Sequence, residues 1–470
     1  MLAPIAIVAV AGMIALLIET IVPKRSNKGQ WLVSILGLAF AGLMLTKQVG
    51  SPEGDTLNGL LIADRFGLIA QLVIVAAAFI CILFSEDYLV QKRIAFGEFY
   101  PLALWSTVGG MVMVSTHNLL VIFVGLEILS IALYVLAGMS RSEERSEESA
   151  MKYFLLGAFA SAFLLYGIAF IYGATGGLDM RLANTAWASG DVNARTMLIF
   201  GGALILVGLG FKSSLVPFHQ WTPDVYQGAP TNVAAFMASV SKVAALATLW
   251  RVLDDSRALA GFYLPVLFWL AILTMTIGNL AALVQKDVKR ILGYSSISHA
   301  GYVLVGIAAN IKSPNTTNVA TVLYYLLAYT LMTVGSFAIV SLVAKGGRES
   351  TSIEDLHGLS RRAPLAAGIL IVFMISLIGM PPTAGFIGKW MIFNDALNAD
   401  LAPLAIVLAI NSAISIYYYV GIVRAAYVVE EGYIDTAPIG PALVGATILC
   451  LVGVIMASFF VTPFMGYVSR

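Results

Sequence analysis

Apolar residues run through the chain in blocks of roughly twenty, the length that carries an α-helix across the hydrocarbon core of a bilayer, with short polar stretches between them. The blocks fall at 2–22, 31–49, 66–85, 99–116, 118–139, 151–174, 196–218, 229–252, 262–284, 291–309, 319–344, 364–394, 403–428 and 438–462. They predict an all-α polytopic membrane protein with about fourteen transmembrane helices. The first block is followed by Lys24 and Arg25, and no small-residue cleavage site stands out, so it reads as a membrane helix rather than a secretory signal.

Two blocks are interrupted. The seventh enters GLGFKSSLVPFHQWTPDVYQGAPT, Gly208 to Thr231, where Pro217 removes a backbone donor. The twelfth is too long for one straight span and contains GMPPTAGFIGKW. Non-helical backbone at membrane depth is tolerated only against protein or a wet cavity. Both blocks therefore predict broken helices, a device by which transporters build ion sites.

The chain also resembles itself. GGMVMVSTHNLLVIFVGLEILSIALYVLAG aligns with IGNLAALVQKDVKRILGYSSISHAGYVLVG at an offset of 168, pairing Gly110 with Gly278, Ser130 with Ser298 and Tyr134 with Tyr302. KYFLLGAF matches LYYLLAYT at 171, and the two broken helices align at 169. Five spans per repeat is an odd number, so the second copy begins on the opposite face of the membrane and the repeats are inverted. This predicts an N-terminal three-helix segment (1–95), a first repeat of helices 4–8 (96–253), a second repeat of helices 9–13 (254–428) and a C-terminal helix 14 (429–470).

Composition narrows the function. With 59% hydrophobic and 11% charged residues, a mean hydropathy of +0.90 and a net charge of +1, the expected partners are lipids and other membrane proteins, not nucleic acid. Basic residues concentrate in the loops near 24–28, 92–93, 141–145, 286–290, 345–348 and 361–362. The positive-inside rule then puts both termini on the non-cytoplasmic side. Cys81 and Cys450 are too few to ligate an iron–sulfur cluster. No dinucleotide fingerprint or phosphate loop is present, and His357 has no second metal ligand at a recognisable spacing. Neither a cofactor nor a metal is expected in this chain.

The candidate chemistry lies in ionisable residues inside apolar blocks, which are costly in a bilayer and usually mark a pathway. They are Glu127, Lys212, Lys242, His299 and Lys389. Ser130 and Tyr134 share the helical face of Glu127. Lys152, with Glu148 four residues before it, and His219, just past the break, are further candidates. Each has a plainer reading: a hydrogen-bonded carboxyl or histidine kept for packing, a snorkelling lysine, a turn residue. The loop SRSEERSEES, Ser140 to Ser149, reads as a solvated connector. A carboxylate about 7 Å from a buried lysine contributes roughly 2.4 kcal/mol at an effective dielectric of about 20. That suffices to switch the lysine between holding and releasing a proton.

GLEILSIALYVLAG, KYFLLGAF, GFKSSLVPFHQWTPDVYQGAPT, SVSKVAAL and GMPPTAGFIGKW together resemble the subunit N family of NADH:quinone oxidoreductase, respiratory complex I, one of a group of antiporter-like membrane subunits. The lysine after PPTAGFIG, where subunit M carries a glutamate, favours N. The resemblance implies fourteen helices with inverted repeats and a proton path along the membrane midplane. It places the family's helix-five glutamate on Glu127 and its lysines of helices seven, eight and twelve on Lys212, Lys242 and Lys389. It also implies that FMN, iron–sulfur clusters and quinone belong to other subunits, that the partners are neighbouring membrane subunits, and that the chain is a bacterial inner-membrane form. A sodium/proton antiporter subunit and a purely structural scaffold are the alternative readings.

Overall fold

The computed structural model describes residues 2–21, 27–50, 53–345, 348–428 and 440–469. Lys24, Arg25 and Arg470, among the charges used for orientation, and the start of the expected C-terminal segment at 429–439 lie outside the described residues. The helices are α1 (Ala3–Ile21), α2 (Lys28–Gln48), α3 (Arg65–Gln91), α4 (Phe99–Met113), α5 (Leu119–Ala137), α6 (Glu144–Thr175), α7 (Leu182–Ala188), α8 (Val192–Lys212), α9 (Trp221–Gly228) and α10 (Thr231–Phe236). A π-helical turn, Met237–Ser241, joins α10 to α11 (Lys242–Asp255). Then follow α12 (Ala260–Leu283), α13 (Val288–Lys312), α14 (Ala320–Val340), α15 (Leu359–Arg362), α16 (Pro364–Ile378), α17 (Ala384–Asn398), α18 (Ala402–Tyr427), α19 (Pro441–Phe459) and α20 (Val461–Ser469). The strands among the described residues form two short hairpins.

Twelve helical segments among the described residues are long and apolar enough to cross a membrane, and α4 and α16 are shorter apolar helices. The chain is a multi-pass membrane protein. α13, α14 and the α10–α11 segment are almost wholly buried, whereas α1, α2, α6 and α18 turn large apolar side chains such as Phe159 and Tyr417 outward. In water such faces would be unstable; in a bilayer they meet acyl chains. The innermost helices carry Lys242 and His299.

Three expectations are corrected. The seventh block does not stay helical to Pro217: α8 ends at Lys212, and residues 213–220 form an irregular turn with Ser214 at φ +62°. The last carbonyls of α8 are nonetheless satisfied. Leu209 accepts from Ser213 N–H, Gly210 from Leu215 N–H, and Phe211 from Ser214 N–H and the Trp221 indole. The connector at 140–149 is helical from Glu144, because Glu144 and Glu147 favour the positive N-terminal end of α6. Ser146 there is buried and donates to the Ala137 carbonyl.

The internal alignment is shifted by one residue. Asn118 and Asp287 cap the N-termini of α5 and α13 with their side chains. A Cβ on Gly109 would lie 2.5 Å from the Gly125 carbonyl and Leu129 nitrogen; one on Gly278 would lie 3.1 Å from the Tyr294 carbonyl and 2.8 Å from the Ser298 nitrogen. Caps and close approaches thus correspond at 169 rather than 168. Ser130 then corresponds to His299 and Tyr134 to Val303.

A line of buried protonatable side chains

Each break exposes helix ends inside the protein, and the site is assembled around them. Lys212, the last residue of α8, is 3% exposed and donates to Ser130 Oγ at 2.8 Å and Tyr153 Oη at 2.7 Å. Its ammonium also lies 5.0 Å from the centre of the Tyr153 ring and 5.9 Å from that of Tyr134. Tyr134 packs where Gly157 leaves room, since a Cβ there would be 2.1 Å from the phenol oxygen. Glu127, one turn before Ser130 on α5, is half-buried and accepts a short hydrogen bond from Ser161 on α6. Glu127 and Lys212 therefore do not form a direct ion pair. Beside Lys212 is a cavity of about 10 Å³, room for the centre of roughly one water, lined among others by Ser130, Tyr134 and Ser161.

Lys242 follows the π-helical turn and is 2% exposed. It donates to the Ser296 carbonyl at 2.7 Å and to the Ser296 hydroxyl. One turn along α13, His299 is also 2% exposed, and both ring nitrogens meet phenols: Nδ1 is 2.7 Å from Tyr325 Oη and Nε2 is 3.1 Å from Tyr419 Oη. Tyr419 in turn meets the Ser295 hydroxyl. His299 lies within electrostatic reach of both Lys242 and Lys389.

Lys389, 5% exposed in α17, reaches back across the second break to the end of α16. It donates to the carbonyls of Leu377 at 3.0 Å and Ile378 at 2.8 Å, and to Ser412 Oγ at 2.9 Å. These are carbonyls that a helix end leaves unpaired, at the negative end of its dipole. Gly379 makes this possible twice over: its φ of +85° suits glycine, and a Cβ would come within 2.9 Å of Lys389 Cδ. Lys389 also lies 4.8 Å from the centre of the Tyr302 ring, against which His299 packs as well.

The remaining two candidates stand apart. Lys152 pairs with Glu148 at 2.7 Å, as its spacing predicts, and with Asp224 at 2.8 Å. Arg290 of α13 holds the other Asp224 oxygen at 2.5 Å. Burial opposes the charge on Asp224, yet hydrogen bonds from Lys152 and Arg290, with their charges, hold its carboxyl below the usual carboxylate range. Lys152 thus sits in a half-open polar pocket that ties α6, α9 and α13 together, not in the buried line. His219 lies half-buried in the turn beyond the break, with Nδ1 unpaired and no contact to Lys212.

Sequence reasoning overlooked Tyr153, Ser161, Tyr325, Tyr419, Ser412 and Asp224. The internal match of KYFLLGAF with LYYLLAYT, which sets Tyr153 beside Tyr324 and Tyr325, is a signal that could have found two of them.

The family described as NADH:quinone oxidoreductase/Mrp antiporter, TM, matches residues 116–415. NADH-quinone oxidoreductase subunit N of Trichlorobacter lovleyi is 42% identical over 449 residues, covering 94% of this chain and 91% of that protein. A subunit N of Sorangium cellulosum is 40% identical over 486 residues, covering 96% and 95%. A chain of respiratory complex I from Thermus thermophilus with bound aureothin superposes with a TM-score of 0.81 at 35% identity over 98% of both chains. A chain of the Mrp complex from a Dietzia species reaches 0.86 at 20% identity, covering 99% of this chain and 96% of that one, a likeness of fold alone.

Proposed function

Because the chain belongs to the NADH:quinone oxidoreductase/Mrp antiporter family of membrane subunits, we propose that it is a proton-translocating membrane subunit of an NADH:quinone oxidoreductase. One observation carries the reading: Lys212, Lys242, His299 and Lys389 are buried among hydroxyls and phenols that can both give and accept a proton. Packing alone does not call for so many costly groups at membrane depth. In this reading a proton is taken up at Lys212 under the control of Glu127, passes Lys242 and His299, and is released from Lys389 toward the exterior. Oxidation of NADH and reduction of quinone, with FMN and the iron–sulfur clusters, belong to other subunits. The chain works among neighbouring membrane subunits of the complex.

The test is inside-out membrane vesicles driven by NADH, with acidification followed by a pH dye and sodium varied independently. Proton uptake should require NADH and ignore sodium. The family and the Mrp-like fold also fit a sodium/proton antiporter subunit; exchange that runs on a sodium gradient without NADH would favour that reading instead.

The arrangement that goes with this function is fourteen spans, with helices 4–8 and 9–13 as inverted repeats and both termini outside the cytoplasm. The shared 169-residue offset of the α5 and α13 caps supports the repeat. Single cysteines placed between Ser140 and Glu143, in a background lacking Cys81 and Cys450, should react with an impermeant thiol reagent only from the cytoplasmic side. Labelling of intact cells from outside would reverse the orientation.

A further inference from the structure

One amide stands inside the apolar run of α12. Asn279 is wholly buried, and an amide at membrane depth is tolerated only where protein satisfies it. Its nitrogen donates to the Met275 carbonyl at 2.9 Å, to Tyr302 Oη at 3.0 Å and to Asn411 Oδ1 at 3.1 Å, and its oxygen accepts from Tyr418 Oη at 2.9 Å. The orientation follows from the acceptors. Met275 offers a carbonyl, and the Asn411 nitrogen is itself turned to the Val407 carbonyl, which leaves the Asn411 oxygen for Asn279. The amide therefore holds the Tyr302 phenol by its far end. That fixes the ring, whose centre lies 4.8 Å from the Lys389 ammonium and 5.3 Å from the His299 ring, one turn back on α13. Asn279 and Tyr302 also come as a pair: at the 169-residue offset their counterparts in the first repeat are Gly110 and Leu133, neither with a polar side chain.

We propose that Asn279 is a positioning residue for the Lys389 proton site, acting through Tyr302, whose ring it holds against the Lys389 ammonium and the His299 ring. The inference deepens the proton-translocating reading given above and rests on it. The face of an aromatic ring attracts a cation, most strongly away from water, and does not so favour a neutral amine. Tyr302 thus supports the charge on Lys389 when a proton arrives from the His299 side, while Leu377, Ile378 and Ser412 bind the ammonium from α16 and α18. A ring free to turn would withdraw that support. The other titratable groups that α13, α14 and α18 bring to this region are His299, Tyr324 and Tyr325 near Gly388, and Tyr418 and Tyr419. Asp395 stands six residues further along α17, α16 carries no titratable side chain, and the one on α12, Tyr263, is at the far end of that helix.

An amide kept only to tie α12 to α18 would make the same bonds, so the variants are chosen to separate the two roles. Asn279→Leu removes the hold on Tyr302. Asn411→Leu removes the tie to α18 and leaves that hold in place. Tyr302→Phe removes one oxygen and leaves Asn279 its Met275 and Asn411 acceptors. Each is measured in the whole complex, in inside-out vesicles with NADH, across neutral and alkaline pH. Asn279→Leu and Tyr302→Phe should each move the alkaline limb of proton uptake and coupled NADH oxidation down by about one pH unit, up to about tenfold in rate at a fixed pH on that limb. The double variant should be no worse than either alone. Asn411→Leu should keep the parental pH profile. The role is overturned if assembled Asn279→Leu complex keeps the parental profile or is slowed alike at every pH, if Asn411→Leu shifts the limb as far, or if the effects of Asn279→Leu and Tyr302→Phe add. Should Asn279→Leu not assemble, Tyr302→Phe decides: a parental profile there overturns the proposal. Lys389→Met is measured alongside. If it stalls the complex while Asn279→Leu and Tyr302→Phe pump as the parent does, Asn279 has no such role and the proton-translocating reading stands; if none of the three affects NADH-driven pumping, both fall.

Discussion

Replacing Lys389 by arginine is expected to leave the complex assembled and to cut NADH-driven proton uptake and NADH oxidation together, by about tenfold or more. The geometry gives this variant its force. All three donors of the Lys389 ammonium are engaged, two of them with the Leu377 and Ile378 carbonyls at the end of α16. Arginine can still cap those carbonyls, but it stays protonated and cannot release a proton. Methionine keeps the apolar stem and loses both functions. It leaves the Leu377 carbonyl without that donor, at about 1–3 kcal/mol for a buried group left unsatisfied, whereas Ile378 retains Ser412. Lys389→Met should therefore stall the complex and also loosen it, seen as a lower temperature of dissociation. If Lys389→Arg pumps at the parental rate while Lys389→Met fails, Lys389 is a helix cap and not a carrier.

The second large effect is expected at Glu127 and Lys212. Glu127→Gln keeps the oxygen that accepts from Ser161 and removes only the charge. It should lower pumping and coupled NADH oxidation by about tenfold, because a tightly coupled machine slows when its proton step does. Lys212→Met should be at least as severe. Here the partners are hydroxyls, Ser130 and Tyr153, which can accept from an ammonium or donate to a neutral amine. Both protonation states of Lys212 are thus satisfied without rebuilding the site, in contrast to Lys389 with its two carbonyls. Since Glu127 does not touch Lys212, its influence on the lysine is one of charge at a distance rather than of a bond. Proton uptake at the parental rate by both variants, in complex shown to be assembled, would remove the pair from the mechanism.

The apolar blocks were legible because a membrane span must be apolar over about twenty residues wherever it packs. Lys212, Lys242, His299 and Lys389 were legible for the opposite reason: each is a costly residue in such a block, and the structure finds all four buried and hydrogen-bonded. Tyr153, Tyr325 and Tyr419 carry no such signature, since a phenol in an apolar run looks the same whether it packs or relays. Lys152 was misleading because its local partner, Glu148, was visible in the sequence. Its distant partners, Asp224 and through it Arg290, depend on the approach of three helices. The end of α8 at Lys212 was hidden because proline marks where a helix cannot continue, not where it stops. The one-residue shift of the internal alignment is of the same kind: matching letters favoured 168, while caps and close approaches, which see only backbone, favour 169.

The π-helical turn at Met237–Ser241 gives the spacing of the chain a meaning of its own. All five of its residues are buried, and it ends where Lys242 begins. Such a turn holds an additional residue against the α-helical rhythm, and each residue of an α-helix turns the next by about 100°. Deleting any one of the five would let the segment relax to regular α-helix and swing the Lys242 side chain by roughly that angle, off Ser296. What this stretch contributes is therefore a count rather than a chemistry. Its side chains can be exchanged for others of similar size, but its length is as much a part of the proton site as the lysine it aims.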